Sequence, residues 1–164
     1  MSSSSSPPNF VIAPAKTPAD FDAIQEMLKV YAASNVPPLL LPELDDLPGT
    51  FGALLLARSS SSSELPRDTP FGIIAYKQTQ YTPPGCCEMN RLYVLPSARG
   101  MGLGKALVLE LFRVAKKAGY KEIRMGVFVY NEAAVKLYES VGFQKRARYK
   151  PKKYEGIQAY EIKL

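Results

Sequence analysis

Residues 99–107 read RGMGLGKAL, with three glycines in five positions and helix-favouring residues directly behind them. Glycine concentrated in this way suits backbone that must take positive φ or come close to something, since it carries no Cβ. The first N–H groups of a helix lack intrahelical partners and sit at the positive end of its dipole. A glycine turn placed before them offers several donors to one anion. A simple tight turn has the same composition; among phosphate-binding schemes, spacing separates the candidates. A Walker loop needs Gly, four residues, then Gly-Lys-Ser/Thr. Here Arg99 stands at the first glycine and Ala106 follows Gly104-Lys105. A dinucleotide fingerprint needs G-x-G-x-x-G, and its last position falls on Lys105 or Leu107. A third pattern, Arg99-x-x-Gly102-x-Gly104 at the start of a helix, does fit and would take a pyrophosphate ligand, while a plain tight turn stays open as the commoner reading of such a stretch on its own.

Working outward from this stretch, apolar residues Leu103, Ala106, Leu107, Leu111, Val114, Ala115 and Ala118 hold one helical face until Gly119. The preceding CCEMNRLYVL reads as a strand. Its Met89, Leu92, Tyr93 and Val94 break strict alternation, which implies burial on both faces or a bulge. After the helix, YKEIRMGVFVY alternates through Ile123, Met125, Val127 and Val129. NEAAVKLYES is then a helix capped by Asn131 and ending before Gly142. Strands around FQKRARY and IQAYEIKL close the chain. Upstream, NFVIAPA is a strand, and TPADFDAIQEMLKVYAAS is an amphipathic helix with Thr17 as N-cap, Pro18 at the first position and Asp20 as capping-box acid. FGALLLAR and PFGIIAYKQTQ are strands joined by the low-complexity loop SSSSSELPRDT. A short helical turn around Leu44 fits the proline-rich segment between helix and strand. Residues 1–8, serine and proline only after Met1, read as a disordered tail before a single domain over 9–164. The element order gives an α/β (α+β) fold, a mixed sheet with helices on its faces.

Composition removes several chemistries. The chain of 164 residues has no histidine, which excludes Ser-His-Asp and Cys-His schemes and the commonest zinc ligand. No metal is expected. Cys86 and Cys87 are adjacent and cannot staple distant segments, which suits a reducing, cytoplasmic setting. Nothing approaches a membrane span or a signal core, so no membrane partner is expected. The net charge is +6, and QKRARYKPKK (144–153) alone supplies six cations and no anion. A solvated basic strand accounts for that run, and so does an anionic ligand or substrate. Nucleic acid is not expected, because Tyr149 and Tyr154 are the only stacking candidates there.

EMNRLYVLPSARGMGLGKAL together with NEAAVKLYESVGF resembles the GNAT superfamily of acyl-CoA N-acyltransferases, most strongly from Glu88 to Phe143. The resemblance implies a mostly antiparallel central sheet with one splayed parallel strand pair and helices on both faces. It implies acetyl-CoA as cosubstrate and direct N-acetyl transfer to a primary amine, with a small molecule as the expected acceptor. A protein N-terminus or lysine, or a non-catalytic acyl-CoA-binding module, are the alternatives, and a homodimer is left open. The implied cofactor-binding residues are Leu92, Tyr93 and Val94 at the strand edge, Arg99, Gly100, Met101, Gly102, Leu103, Gly104 and Lys105 at the phosphate turn, and Asn131 and Tyr138. An edge N–H, that of Leu92, would polarise the acetyl carbonyl. Tyr138 is implied as general acid to the thiolate and Glu88 as general base, directly or through water. Each has a plainer reading: Tyr138 as a core residue, Glu88 as an exposed strand glutamate or partner of Arg91, and Lys105 as a solvated lysine. Cys86 and Cys87 are poor nucleophile candidates, since nothing near them lowers a thiol pKa. NVPPLLLPELDDLPGT would roof the acceptor site. Its Glu43, Asp45 and Asp46 favour a cationic acceptor, whereas the basic run favours one carrying a carboxylate.

Overall fold

The computed structural model describes residues 9–34, 41, 46–49, 51–60 and 65–164. The tail at 1–8, the turn around Leu44, and Glu43 and Asp45 lie outside the described residues. The seven strands are β1 (Phe10–Pro14), β2 (Phe51–Ser59), β3 (Pro70–Lys77), β4 (Cys86–Val94), β5 (Glu122–Phe128), β6 (Gln144–Arg146) and β7 (Ile157–Lys163). The helices are α1 (Pro18–Ser34), α2 (Leu103–Lys117) and α3 (Glu132–Ser140). One sheet runs in the order β1-β2-β3-β4-β5-β7-β6, and every pairing is antiparallel except β4 with β5.

Local chemistry explains where the elements begin and end. Thr17 and Asp20 form a reciprocal cap at the start of α1: the Asp20 N–H donates to Thr17 Oγ1 at 3.1 Å, and the Thr17 N–H donates to Asp20 Oδ2 at 3.0 Å. The Asn131 side chain accepts from the Ala134 N–H at 3.3 Å and caps α3. Helix α2 stops at Gly119, whose φ of 99° reverses the chain.

The continuous apolar runs of β2 and β3 reflect burial on both faces. Leu54, Leu56, Ile73 and Ala75 pack with Ile24, Met27 and Leu28 of α1. Leu55, Ala57 and Ile74 face the other way, toward Leu103, Leu107 and Leu111 of α2. Helices α1 and α2 therefore cover opposite faces of the sheet, and α3 joins the α2 side through Tyr138.

Strand β4 carries a bulge, one of the two readings its broken alternation left open. Ile73 is opposite Tyr93 and Ala75 is opposite Asn90, so Ile74 faces both Arg91 and Leu92. Arg91 takes a φ of 59°, in the left-handed region that side chains rarely adopt.

Two expectations at the C-terminal end change. Val129 does not continue the inward alternation: β5 ends at Phe128, and Val129 is exposed while its N–H bonds Gly156 O at 2.8 Å. The strand expected around FQKRARY lasts only from Gln144 to Arg146. The chain then leaves the sheet as a loop, 147–156, and most of the basic run lies in that loop. No helix among the described residues is long and apolar enough to cross a membrane.

Candidate active site

The parallel pair β4–β5 is joined at only three positions, Cys86 with Glu122, Cys87 with Ile123 and Glu88 with Arg124. Beyond Glu88 the strands part. Strand β5 stays paired with β7 over its whole length, and β4 stays paired with β3 through Val94. The Leu95 N–H donates to Phe71 O at 2.9 Å, so alternation turns the backbone groups of Tyr93 toward β3 and those of Val94 and Leu92 toward the opening. An unpaired strand edge inside a sheet is a template for another extended chain. A cavity of about 370 Å³ occupies the opening, walled by Tyr31 and Leu41 on the α1 side, Leu92 of β4, Phe128 of β5, and Asn131 and Tyr138 of α3. Leu41 belongs to the proline-rich segment expected to roof the site, whereas Asp46 is exposed and does not line the cavity.

The glycine turn lies at the mouth of this split. After the short 3-10 turn Pro96–Ala98, Gly100 and Gly102 take φ values of 85° and 79°, and α2 begins at Leu103. A Cβ on either glycine would meet no protein atom within 4 Å, so the requirement is for conformation and for open space in front of the backbone. Met101 packs partly into the core, and Lys105 is exposed. Among the described residues, the N–H groups of Gly100 to Lys105 have no hydrogen-bond acceptor, and the first backbone bond of α2 runs from the Ala106 N–H to Gly102 O. The Arg99 side chain turns back instead, its Nε donating to Val94 O at 3.3 Å. These free donors at the positive end of a helix fit a pyrophosphate, and the open β4 edge fits an amide-bearing arm leading away from it.

Tyr138 is buried on α3 with its ring edge-on to Phe143, yet it lines the cavity and no partner for its hydroxyl exists among the described residues. Burial and then the charge of Tyr31 push its pKa upward, so it stays protonated through the physiological range.

Glu88 is neither an exposed glutamate nor free: it is 1% exposed at the last joined position before the split. Tyr149 Oη donates to Oε2 at 2.6 Å, while Lys150 Nζ and Asn90 Nδ2 donate to Oε1 at 2.8 and 3.0 Å. Burial raises its pKa, but the hydrogen bonds from Lys150 and Tyr149 and the charge of Lys150 outweigh it, and the net shift is downward. Glu88 is thus a firmly held carboxylate that pins loop 147–156 over the split.

Sequence reasoning passed over Asn90. Its Oδ1 is buried without a hydrogen-bond partner. Because Nδ2 must donate to the Glu88 carboxylate, the amide orientation is fixed and the oxygen is left as a lone acceptor. A buried acceptor in that state costs about 1–3 kcal/mol, which makes it a place where a ligand donor is expected. The available signal was its position two residues after Glu88, on the same strand face.

Cys86 and Cys87 are buried free thiols whose pKa values burial pushes up to about 11 and about 12. Neither is a thiolate at neutral pH, in keeping with their dismissal as nucleophiles.

A sheet parted at one parallel pair, with a glycine-turned helix start at its mouth, defines the acyl-CoA N-acyltransferase fold. The acetyltransferase (GNAT) family profile matches residues 23–143, and the chain belongs to that family. It is 32% identical over 146 residues to an uncharacterized N-acetyltransferase of Schizosaccharomyces pombe, covering 84% of this chain and 85% of the relative. Among solved structures, an acyl-CoA N-acyltransferase from Klebsiella pneumoniae aligns with a TM-score of 0.69 at 24% identity, covering 94% of this chain and 97% of that one. The Salmonella typhimurium yncA structure, solved with its cofactor acetyl-CoA, aligns with a TM-score of 0.74 at 19% identity, covering 95% and 94%.

Proposed function

We propose that this protein is an N-acetyltransferase that moves the acetyl group of acetyl-CoA directly to the primary amine of a small molecule. The observation that carries the reading is the unpaired β4 edge running continuously into the uncommitted N–H groups of Gly100 to Lys105. In this reading those N–H groups receive the diphosphate of coenzyme A, and the backbone groups of Val94 and Leu92 pair with the amides of the pantetheine arm. The Leu92 N–H donates to the acetyl carbonyl as its oxygen gains charge.

The chemistry left to side chains is proton handling. The acceptor nitrogen forms a bond to the acetyl carbon while the carbon–sulfur bond breaks, and the electron pair of that bond leaves on sulfur. Tyr138, protonated and facing the cavity, donates to the departing thiolate. Glu88, ion-paired with Lys150 and bonded by Tyr149 and Asn90, holds this wall of the site in place. Its lowered pKa leaves water to carry the amine proton away. A cavity of about 370 Å³, walled by α1 and loop 147–156, supports a small acceptor.

Thiol release from acetyl-CoA, measured over a broad panel of primary amines, tests the proposal. Release that depends on the amine supports it. Acetyl-CoA binding without release for any amine or for an array of peptides would make the protein an acyl-CoA-binding module, and release with peptides alone would shift the acceptor to protein.

A further inference from the structure

The loop 147–156 that Glu88 holds down separates two spaces. One is the cavity in the split. The other is a bowl of about 520 Å³ lined by Gly126 and by the chain from Arg146 to Ala159. Gly126, Lys150, Lys153, Tyr154 and Ile157 line both, so the two spaces meet along this loop. Among the described residues lining them, Glu88 and Glu155 are the only acids, and each is ion-paired, with Lys150 at 2.8 Å and Lys152 at 2.6 Å. Arg146 is occupied by Glu161 at 2.9 Å. Lys153 and Arg148 have no acidic partner among the described residues, and Lys153 stands at the junction with its ammonium 5.4 Å from the Tyr154 ring centroid. Among the described lining residues no carboxylate is left to receive a cationic tail, whereas Lys153 is present there without an acidic partner to receive an anionic one.

The second observation is the orphaned Asn90 Oδ1. Asn90 shares a sheet face with Glu88, to which it is bonded, while Cys87 and Met89 point into the core on the α2 side. Its oxygen is therefore on the side away from the α2 packing, next to the point where β4 and β5 part, and it accepts but cannot donate.

We propose that the acceptor is a small primary amine that also carries a carboxylate, as an amino acid does, with Asn90 Oδ1 receiving an amine N–H and Lys153 receiving the carboxylate. Asn90 is then a positioning residue for the nucleophile, and Lys153 determines which amines enter. This rests on the acetyl-transfer reading above, and the experiment separates the two.

Matched sets of an amino acid, its amide, its methyl ester and the corresponding decarboxylated amine are compared as acceptors at saturating acetyl-CoA. Binding of each to the protein–CoA complex and of CoA alone is measured by calorimetry. The free acid is expected to exceed its amide, ester and amine by about tenfold in kcat/KM or, where nothing turns over, in affinity. Lys153→Gln, at an exposed position, should abolish that preference and leave the amide within twofold. Asn90→Leu should raise KM about tenfold across the set and leave CoA affinity within twofold. Equal use of acids and amides, a preference that survives Lys153→Gln, or an Asn90→Leu variant that loses CoA affinity and keeps acceptor affinity would overturn the inference. Wild-type protein that fails to bind CoA would instead overturn the acetyl-transfer reading.

Discussion

Replacing Lys150 with methionine probes the clamp at the foot of the split. The substitution keeps the stem and removes the ammonium that donates to buried Glu88 at 2.8 Å. Removing one partner of a fully buried ion pair costs about 3–5 kcal/mol. Here the lysine side chain is 39% exposed, so water screens the pair, and Tyr149 and Asn90 still donate to the carboxylate. A loss of about 1–2 kcal/mol is the resulting expectation. For a domain of this size that corresponds to a drop in Tm of about 2–8 °C. The pH dependence carries a second signature. In the wild type the Glu88 pKa is lowered, so its stabilisation is present above the ordinary carboxylate pKa and is lost only as pH falls through the lower folded value. Without Lys150 the opposing effect of burial gains weight. The folded pKa then moves upward, and a rise above the unfolded value makes the variant lose stability relative to wild type as pH increases from about 4 toward 7. Thermal unfolding across pH 4 to 8 reads both effects. A variant as stable as wild type at neutral pH, with a parallel pH profile, would refute the clamp.

Tyr138→Phe should lower kcat by about 10²–10³-fold and leave CoA affinity and Tm nearly unchanged, because the hydroxyl has no partner among the described residues to lose; steady-state kinetics with calorimetry and a melting curve check it. Gly102→Ala places a Cβ on backbone with φ of 79° and should cost about 1–2 kcal/mol, with a matching rise in the CoA Kd as the turn relaxes. Gly72→Ala should act on the phosphate turn from beneath. Its new Cβ would lie 2.9 Å from Leu103 Cδ2 and 3.1 Å from Leu107 Cδ1, so overpacking of about 1–3 kcal/mol should lift the start of α2, lowering Tm and CoA affinity together.

The parts of the fold legible in the sequence are those set by local chemistry. Thr17 with Asp20, Gly119 and Asn131 mark helix ends because each satisfies or reverses backbone within a few residues, and the structure uses them in those roles. Continuous apolar runs located β2 and β3, whereas the broken alternation of β4 left it undecided between a bulge and two-sided burial; β4 shows both. The basic run misled a reading based on composition. Beyond the end of β6, Tyr149 and Lys150 bond Glu88, a partner 61 and 62 positions away that no local pattern reveals. For Asn90 the sequence offered only its place two residues after Glu88; that its Oδ1 has no partner is visible only in the folded neighbourhood. Val129 failed because strand β5 yields to the Gly156 contact one residue early.

Amide hydrogen exchange measured by NMR with and without acetyl-CoA tests the central claim most directly. Strong new protection is expected at Leu92 and Val94 and across Gly100 to Lys105, the unpaired β4 edge and the free α2 donors, with little change in the β2–β3 pairing. Binding of acetyl-CoA that leaves those amides exchanging as before would contradict it.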